Sequence, residues 1–175
     1  KKVDTNLIIE NCPFGIDVVV AGIPCQGFSL NNRKRVDNDE RNFLYLELLR
    51  ILKDIKPKAV IVENVSGIRK SSNGEIVKAI EEGIYEACGL KVRHKLLCAQ
   101  DYGVPQKRQR VVFVGVNNNQ DFNFEDVVKT HGEDRANKPV TIKEALGDLP
   151  SLGVNEESNI YKSPPVSDYQ KIMRN

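Results

Sequence analysis

Asp17-Val18-Val19-Val20-Ala21-Gly22-Ile23-Pro24-Cys25-Gln26-Gly27-Phe28-Ser29 is the stretch on which the reading of this chain turns. The apolar run at 18–21 reads as a buried strand, and Gly22 and Pro24 then force a sharp exit from it. A thiol is thereby set on the loop leaving the strand end, where open α/β sheets place their chemistry. Gln26 and Ser29 put an amide and a hydroxyl beside it. Taken alone, a free Cys beside a strand is usually a small buried hydrophobe, and Cys25 reads as one.

Two further segments change that balance. Pro57-Lys58-Ala59-Val60-Ile61-Val62 repeats the buried-strand pattern and delivers Glu63-Asn64-Val65 at its end, so a carboxyl is expected at the same sheet edge as the thiol. Gln106-Lys107-Arg108-Gln109-Arg110 leads into the strand 111–116, and alternation along an extended chain puts Arg108 and Arg110 on one side. Singly, a strand-end glutamate is usually solvated and two such arginines usually make surface pairs.

Thiol, carboxyl and paired arginines, in that order and each at a strand margin, resemble the cytosine-5 DNA methyltransferase family across roughly residues 4–150. Pro-Cys-Gln, Glu-Asn-Val and Gln-x-Arg-x-Arg segments all stand intact. The resemblance implies that the Cys25 thiolate adds to C6 of a cytosine, converting the ring into an enamine that accepts an activated methyl group at C5. Only the thiolate attacks well, and a free thiol titrates near ~8.5, so nearby positive charge or coupled protonation of the base is needed. Glu63 is implied as the group that donates to, or hydrogen-bonds, ring N3, Arg110 as the group on O2, and Arg108 as support for the loop or a phosphate.

A base inside a duplex must be flipped out to meet such a thiol. The polar stretch 30–41, without apolar periodicity, reads as the loop that closes over it. Arg33, Lys34 and Arg35 are its phosphate-binding candidates, with Gln26, Ser29 and Gln106 as further DNA contacts, double-stranded DNA being the implied partner. S-adenosyl-L-methionine is the implied methyl donor. Asp4 stands about where the family carries an acidic adenine contact, and Pro24 and Leu44 complete the implied cofactor residues.

Composition is compatible with this and narrows other classes. At 175 residues and 40% hydrophobic content the chain can bury one substantial core. A net charge of +2 makes nucleic-acid affinity a matter of local clusters, not of a global field. Cys12, Cys25, Cys88 and Cys98 have no C-x-x-C spacing, and His94 and His131 fall near no ligand partner, so neither a zinc site nor a disulfide framework is expected. With no apolar run of spanning length and no signal peptide, a reducing cytoplasmic setting is expected, without membrane.

Leu44, Leu48, Ile51, Leu52 and Ile55 predict a helix over 42–56, stopped by Pro57. Ser72 with Glu75 predicts a capping box opening a second helix, whose stripe is Ile76, Ala79, Ile80, Ile84 and Ala87 and whose C-cap is Gly89. A strand is predicted over 92–99, a turn over 101–105, and, because the next strand follows so closely, an antiparallel pairing. Thr141 to Glu144 opens a short capped helix after a polar excursion at 117–138, and the tail 158–175, with Pro164-Pro165, reads as a linker.

The expected fold is therefore α/β, of the Rossmann-like S-adenosylmethionine-dependent methyltransferase type, with a mostly parallel sheet, an antiparallel strand near its C-terminal part, and an incomplete outline. Residues 1–150 form the partial catalytic domain and 151–175 a linker towards a target-recognition region. None of the twelve glycines makes a G-x-G pair after a strand, so the cofactor loop belongs to a missing half, and the strand at 18–21 is expected to present a hydrophobic sheet edge. Two other readings remain: a transfer-RNA cytosine-5 methyltransferase of the same fold, and a non-catalytic subunit of a split enzyme.

Overall fold

The computed structural model describes residues 3–23, 44–117, 120 and 122–174. In chain order the regular elements are α1 (Thr5–Asn11), β1 (Val18–Gly22), α2 (Leu44–Ile55), β2 (Ala59–Val65), α3 (Glu75–Cys88), β3 (Lys91–Cys98), β4 (Gln109–Val116), α4 (Ile142–Leu146) and α5 (Asp168–Met173). They divide into two compact units. The first holds residues 1–97 and 109–127, and the second residues 98–108 and 128–175.

The first unit is built on a four-stranded sheet of order β1-β2-β4-β3. β1 and β2 run parallel, in the register Val18↔Ala59 to Gly22↔Glu63, joined by the crossover through α2. β4 lies antiparallel against the other edge of β2, with Glu63↔Val112 and Val65↔Arg110. The expected α/β fold with a mixed sheet is thus present, and its antiparallel strand is the one that carries Arg110.

Alternation along the strands decides which side is core. Val60, Val62 and Asn64 of β2 and Val111 and Phe113 of β4 are buried on one face, all but Asn64 packing with Leu48 and Leu52 of α2 and Val77, Ile80 and Ile84 of α3. Gly83 lets α2 and α3 approach closely, because a Cβ there would run into the Leu49 side chain. On the other face Val18 is 51% and Val20 72% exposed, so β1, at the sheet edge, presents apolar surface as its sequence predicted.

Helix boundaries follow backbone chemistry. α2 ends where Lys56 takes a left-handed φ of 49° immediately before Pro57, which disfavours helical geometry in the residue preceding it. Gly89 closes α3 with a φ of 73° and donates its N–H to Tyr85 O at 2.7 Å, a conformation that costs glycine least. The start of α3 departs from the prediction. Its N-cap is Gly74, at φ 89° and without a side-chain cap, after a 3-10 stretch over Ser66–Gly74. A left-handed residue immediately before Glu75 supplants the capping box expected from Ser72.

α1 was not foreseen. Asp4 caps it, its carboxylate accepting the N–H of Asn6 at 3.0 Å, and Thr5 donates to Asp54 of α2 at 2.6 Å. Within the polar excursion, Phe124 is buried in a 3-10 turn and Glu125 pairs with Lys95 of β3 at 2.8 Å.

In the second unit the predicted turn at 101–105 is led by a 3-10 helix over Ala99–Tyr102. α4 opens with the expected capping box of Thr141 and Glu144, and the 158–175 stretch contains α5, opened by a second capping box of Ser167 and Gln170. The buried Asp148 carboxylate accepts from Arg174, whose guanidinium also donates to Ser163 O at 2.9 Å and lies 3.4 Å from the Tyr161 ring centroid.

These caps make a pH-dependent contribution to the second unit. Hydrogen bonds from the Thr141 hydroxyl and N–H hold the Glu144 carboxyl below its usual value, and the hydrogen bond and charge of Lys171 do the same for Asp168. A carboxyl whose folded value is depressed contributes stability above its unfolded value, near ~4 for these side chains, and loses it as pH falls through the lower folded value. Amide protection factors at Glu144 and Gln170 are therefore expected to drop between neutral pH and about pH 3, while those in the middle of α3 change less. Equal loss in all three places would assign the acid response to global unfolding.

Candidate functional site

The C-terminal end of β2 carries Glu63 between two neighbours. On one side Gly22, the last residue of β1, is its register partner. On the other, Arg110 of β4 lies one diagonal step away, opposite Val65, and on the same face of the sheet. Arg110 Nε meets Glu63 Oε1 at 2.6 Å, with Arg110 23% and Glu63 45% exposed, and Arg110 Nη1 donates to Gln109 O at 2.8 Å. This partial exposure makes the pair a matter of aim more than of stability. Asn64, on the buried face, accepts the Val65 N–H through Oδ1 at 2.8 Å.

Of the sequence-predicted catalytic residues, the structure therefore brings Glu63 and Arg110 together. Arg108 precedes β4, is exposed and belongs to the second unit, its backbone N–H donating to Gln106 O and its carbonyl accepting from Ala99 N–H. Gln106 is exposed in the same turn. Cys25, Pro24, Gln26, Ser29, Arg33, Lys34 and Arg35 lie outside the described residues. Gly22 was noticed in the sequence only as a strand breaker. Its position opposite Glu63 required the strand register.

Of the predicted cofactor residues, Asp4 and Leu44 are described. Asp4 is engaged as the α1 cap, and Leu44 stands 39% exposed at the start of α2. In the second unit a cavity of about 690 Å³ is lined by Tyr102, His131, Lys138, Glu144 and Tyr169 among others, and by none of the residues predicted for the site. Among the described residues no group of three His, Cys, Asp or Glu side chains could hold a metal, and no helix is long and apolar enough to cross a membrane.

The sheet is thus a mixed α/β one with a carboxylate at the exit of β2 and a guanidinium at the entry of the antiparallel β4, and comparison with known proteins shows the fold to be that of the Rossmann-like methyltransferases. Over residues 1–175 the chain matches the model of the C-5 cytosine-specific DNA methylases, and it belongs to that family. It is 46% identical over 134 residues to the Type II methyltransferase M.BspRI of Lysinibacillus sphaericus, covering 76% of this chain and 31% of that protein. It is 35% identical over 163 residues to M.DdeI of Desulfomicrobium norvegicum, covering 91% of this chain and 39% of that one. Among solved structures, a prophage-encoded E. coli protein described as a candidate DNA modification methyltransferase superposes with a TM-score of 0.64 at 29% identity, over 86% of this chain and 42% of that one. A Spodoptera frugiperda DNMT2 variant shares the fold, with a TM-score of 0.53 at 24% identity, over 83% of this chain and 43% of that one. The chain thus spans between three and five tenths of the length of the relatives it matches.

Proposed function

We propose that this chain carries the base-handling machinery of a DNA cytosine-5 methyltransferase, the modifying partner in a restriction–modification pair. The observation that carries the reading is the Glu63–Arg110 pair at the end of β2, directly across from the last residue of a strand that leads, three residues later, to Cys25.

The chemistry follows from residue types. The Cys25 thiolate adds to C6 of a flipped-out cytosine, and negative charge moves onto the N3 side of the ring. Glu63 meets that edge, donating a proton or a hydrogen bond as the charge develops, and Arg110 both aims Glu63 and binds O2. The enamine so formed is nucleophilic at C5. Once C5 has gained the methyl group, loss of the C5 proton to a base and departure of the thiolate restore the aromatic ring. Arg108 and Gln106 contact the DNA backbone, as do Gln26, Ser29, Arg33, Lys34 and Arg35 around the thiol loop.

The family implies S-adenosyl-L-methionine as methyl donor. Asp4, Pro24 and Leu44 are the residues of this chain that would contact it, Asp4 while also capping α1.

The test is transfer of labelled methyl from S-adenosyl-L-methionine by the full-length polypeptide, offered duplex DNA and transfer RNA in parallel. Label in 5-methylcytosine of DNA is the expected outcome. Label confined to transfer RNA reassigns the substrate, and no label in either leaves the chain a non-catalytic subunit.

A further inference from the structure

We propose that Gly22 is a positioning residue for Glu63, keeping one oxygen of that carboxylate open to the target ring; this rests on the reading of Glu63 given above. Arg110 engages Oε1 at 2.6 Å. The second oxygen, Oε2, lies 4.0 Å from where a Cβ on Gly22 would stand, Gly22 and Glu63 being register partners. A methyl group at position 22 would reach ordinary van der Waals contact with Oε2, and a longer or branched side chain would cover it.

Among the described residues the backbone gives no other reason for glycine at this position. Gly22 is not among the glycines with positive φ, so an L side chain fits its conformation. The same face of β1 carries Val18 and Val20, both exposed, and continuation of that pattern would put a third β-branched residue at 22. Glycine in a strand is a cost to stability and commonly marks close approach of a ligand or another backbone. Here the strand gives up its side chain at the position facing the carboxylate, and the vacated space is where the edge of a planar ring can reach Oε2.

The experiment compares Gly22→Ala and Gly22→Val with the unsubstituted full-length protein by three readouts: methyl-transfer kinetics, thermal midpoint, and the NMR signal of the Glu63 side-chain carboxyl carbon. Gly22→Ala is expected to lose less than about tenfold in kcat, and Gly22→Val about a hundredfold or more, with KM for DNA nearly unchanged. The thermal midpoint of Gly22→Val should be equal or higher, and the Glu63 carboxyl signal should move as apolar atoms displace water from the carboxylate. A Gly22→Val protein that is fully active, or that melts lower, assigns the glycine to the strand and overturns the proposal. If the unsubstituted protein transfers no methyl, the functional reading fails separately. The Glu63 carboxyl signal still decides this one, and no movement in Gly22→Val overturns it.

Discussion

Cys25→Ser is expected to abolish methyl transfer, while Glu63→Gln should slow it by about 10²- to 10⁴-fold, and the difference between the two separates their roles. Serine has no accessible alkoxide at neutral pH, so no bond to C6 forms and no covalent protein–DNA complex should be detected. Glutamine keeps the size of Glu63 and can still hydrogen-bond the ring, but it has no acidic proton to give and no charge to hold Arg110 Nε, now 2.6 Å away. Glu63→Gln should therefore still form the covalent complex, only slowly, and Arg110→Ala should resemble it because Glu63 loses its anchor. The check is single-turnover transfer alongside denaturing electrophoresis of the protein–DNA adduct. Wild-type rates for Glu63→Gln would remove the carboxylate from the mechanism, and adduct formation by Cys25→Ser would remove the thiol.

Phe113→Ala is expected to destabilise the first unit by about 3–5 kcal/mol, the range for emptying a buried aromatic site. Phe113 is fully buried, pairs in register with Val62 at the centre of the sheet, and stacks at a tilt on His94 with ring centroids 5.4 Å apart. A total stability of only 5–15 kcal/mol is typical of a domain, so such a loss leaves a large unfolded fraction at physiological temperature. Chemical denaturation monitored in the far ultraviolet measures it directly. A loss below about 1 kcal/mol would mean that the neighbouring side chains collapse into the space.

How much of this was legible in the sequence depended on whether a signal was periodic or relational. β1, β2, β4, α2 and α3 were readable because alternation and helical spacing report which face is buried, as Val60, Val62, Leu48 and Leu52 do. α5 was hidden by Pro164-Pro165, although Ser167 and Gln170 carried the same capping pattern that correctly revealed α4. Asp4 illustrates ambiguity of chemistry. One carboxylate serves as helix cap or ligand contact with the same residue type, and only the backbone around it decides. Ser72 failed the other way, because nothing in the residue pattern reports the left-handed turn at Gly74. For the site, residue types named Glu63 and Arg110, but their meeting depends on an antiparallel register between segments 47 positions apart, and the place of Gly22 on a second, parallel one.

The strand order also sets a sequence of events during synthesis. β4 is made last of the four strands, yet its place is between β2 and β3, which both precede it. While the ribosome has yet to deliver residues 109–116, β2 has a bare edge beside the acid, and β3 has no neighbour within its own sheet. Closing that gap is a single late insertion that completes the core and neutralises Glu63 together. A nascent chain stalled before residue 109 therefore has neither, and exposes a Val- and Ile-rich strand edge to chaperones and to other copies of itself.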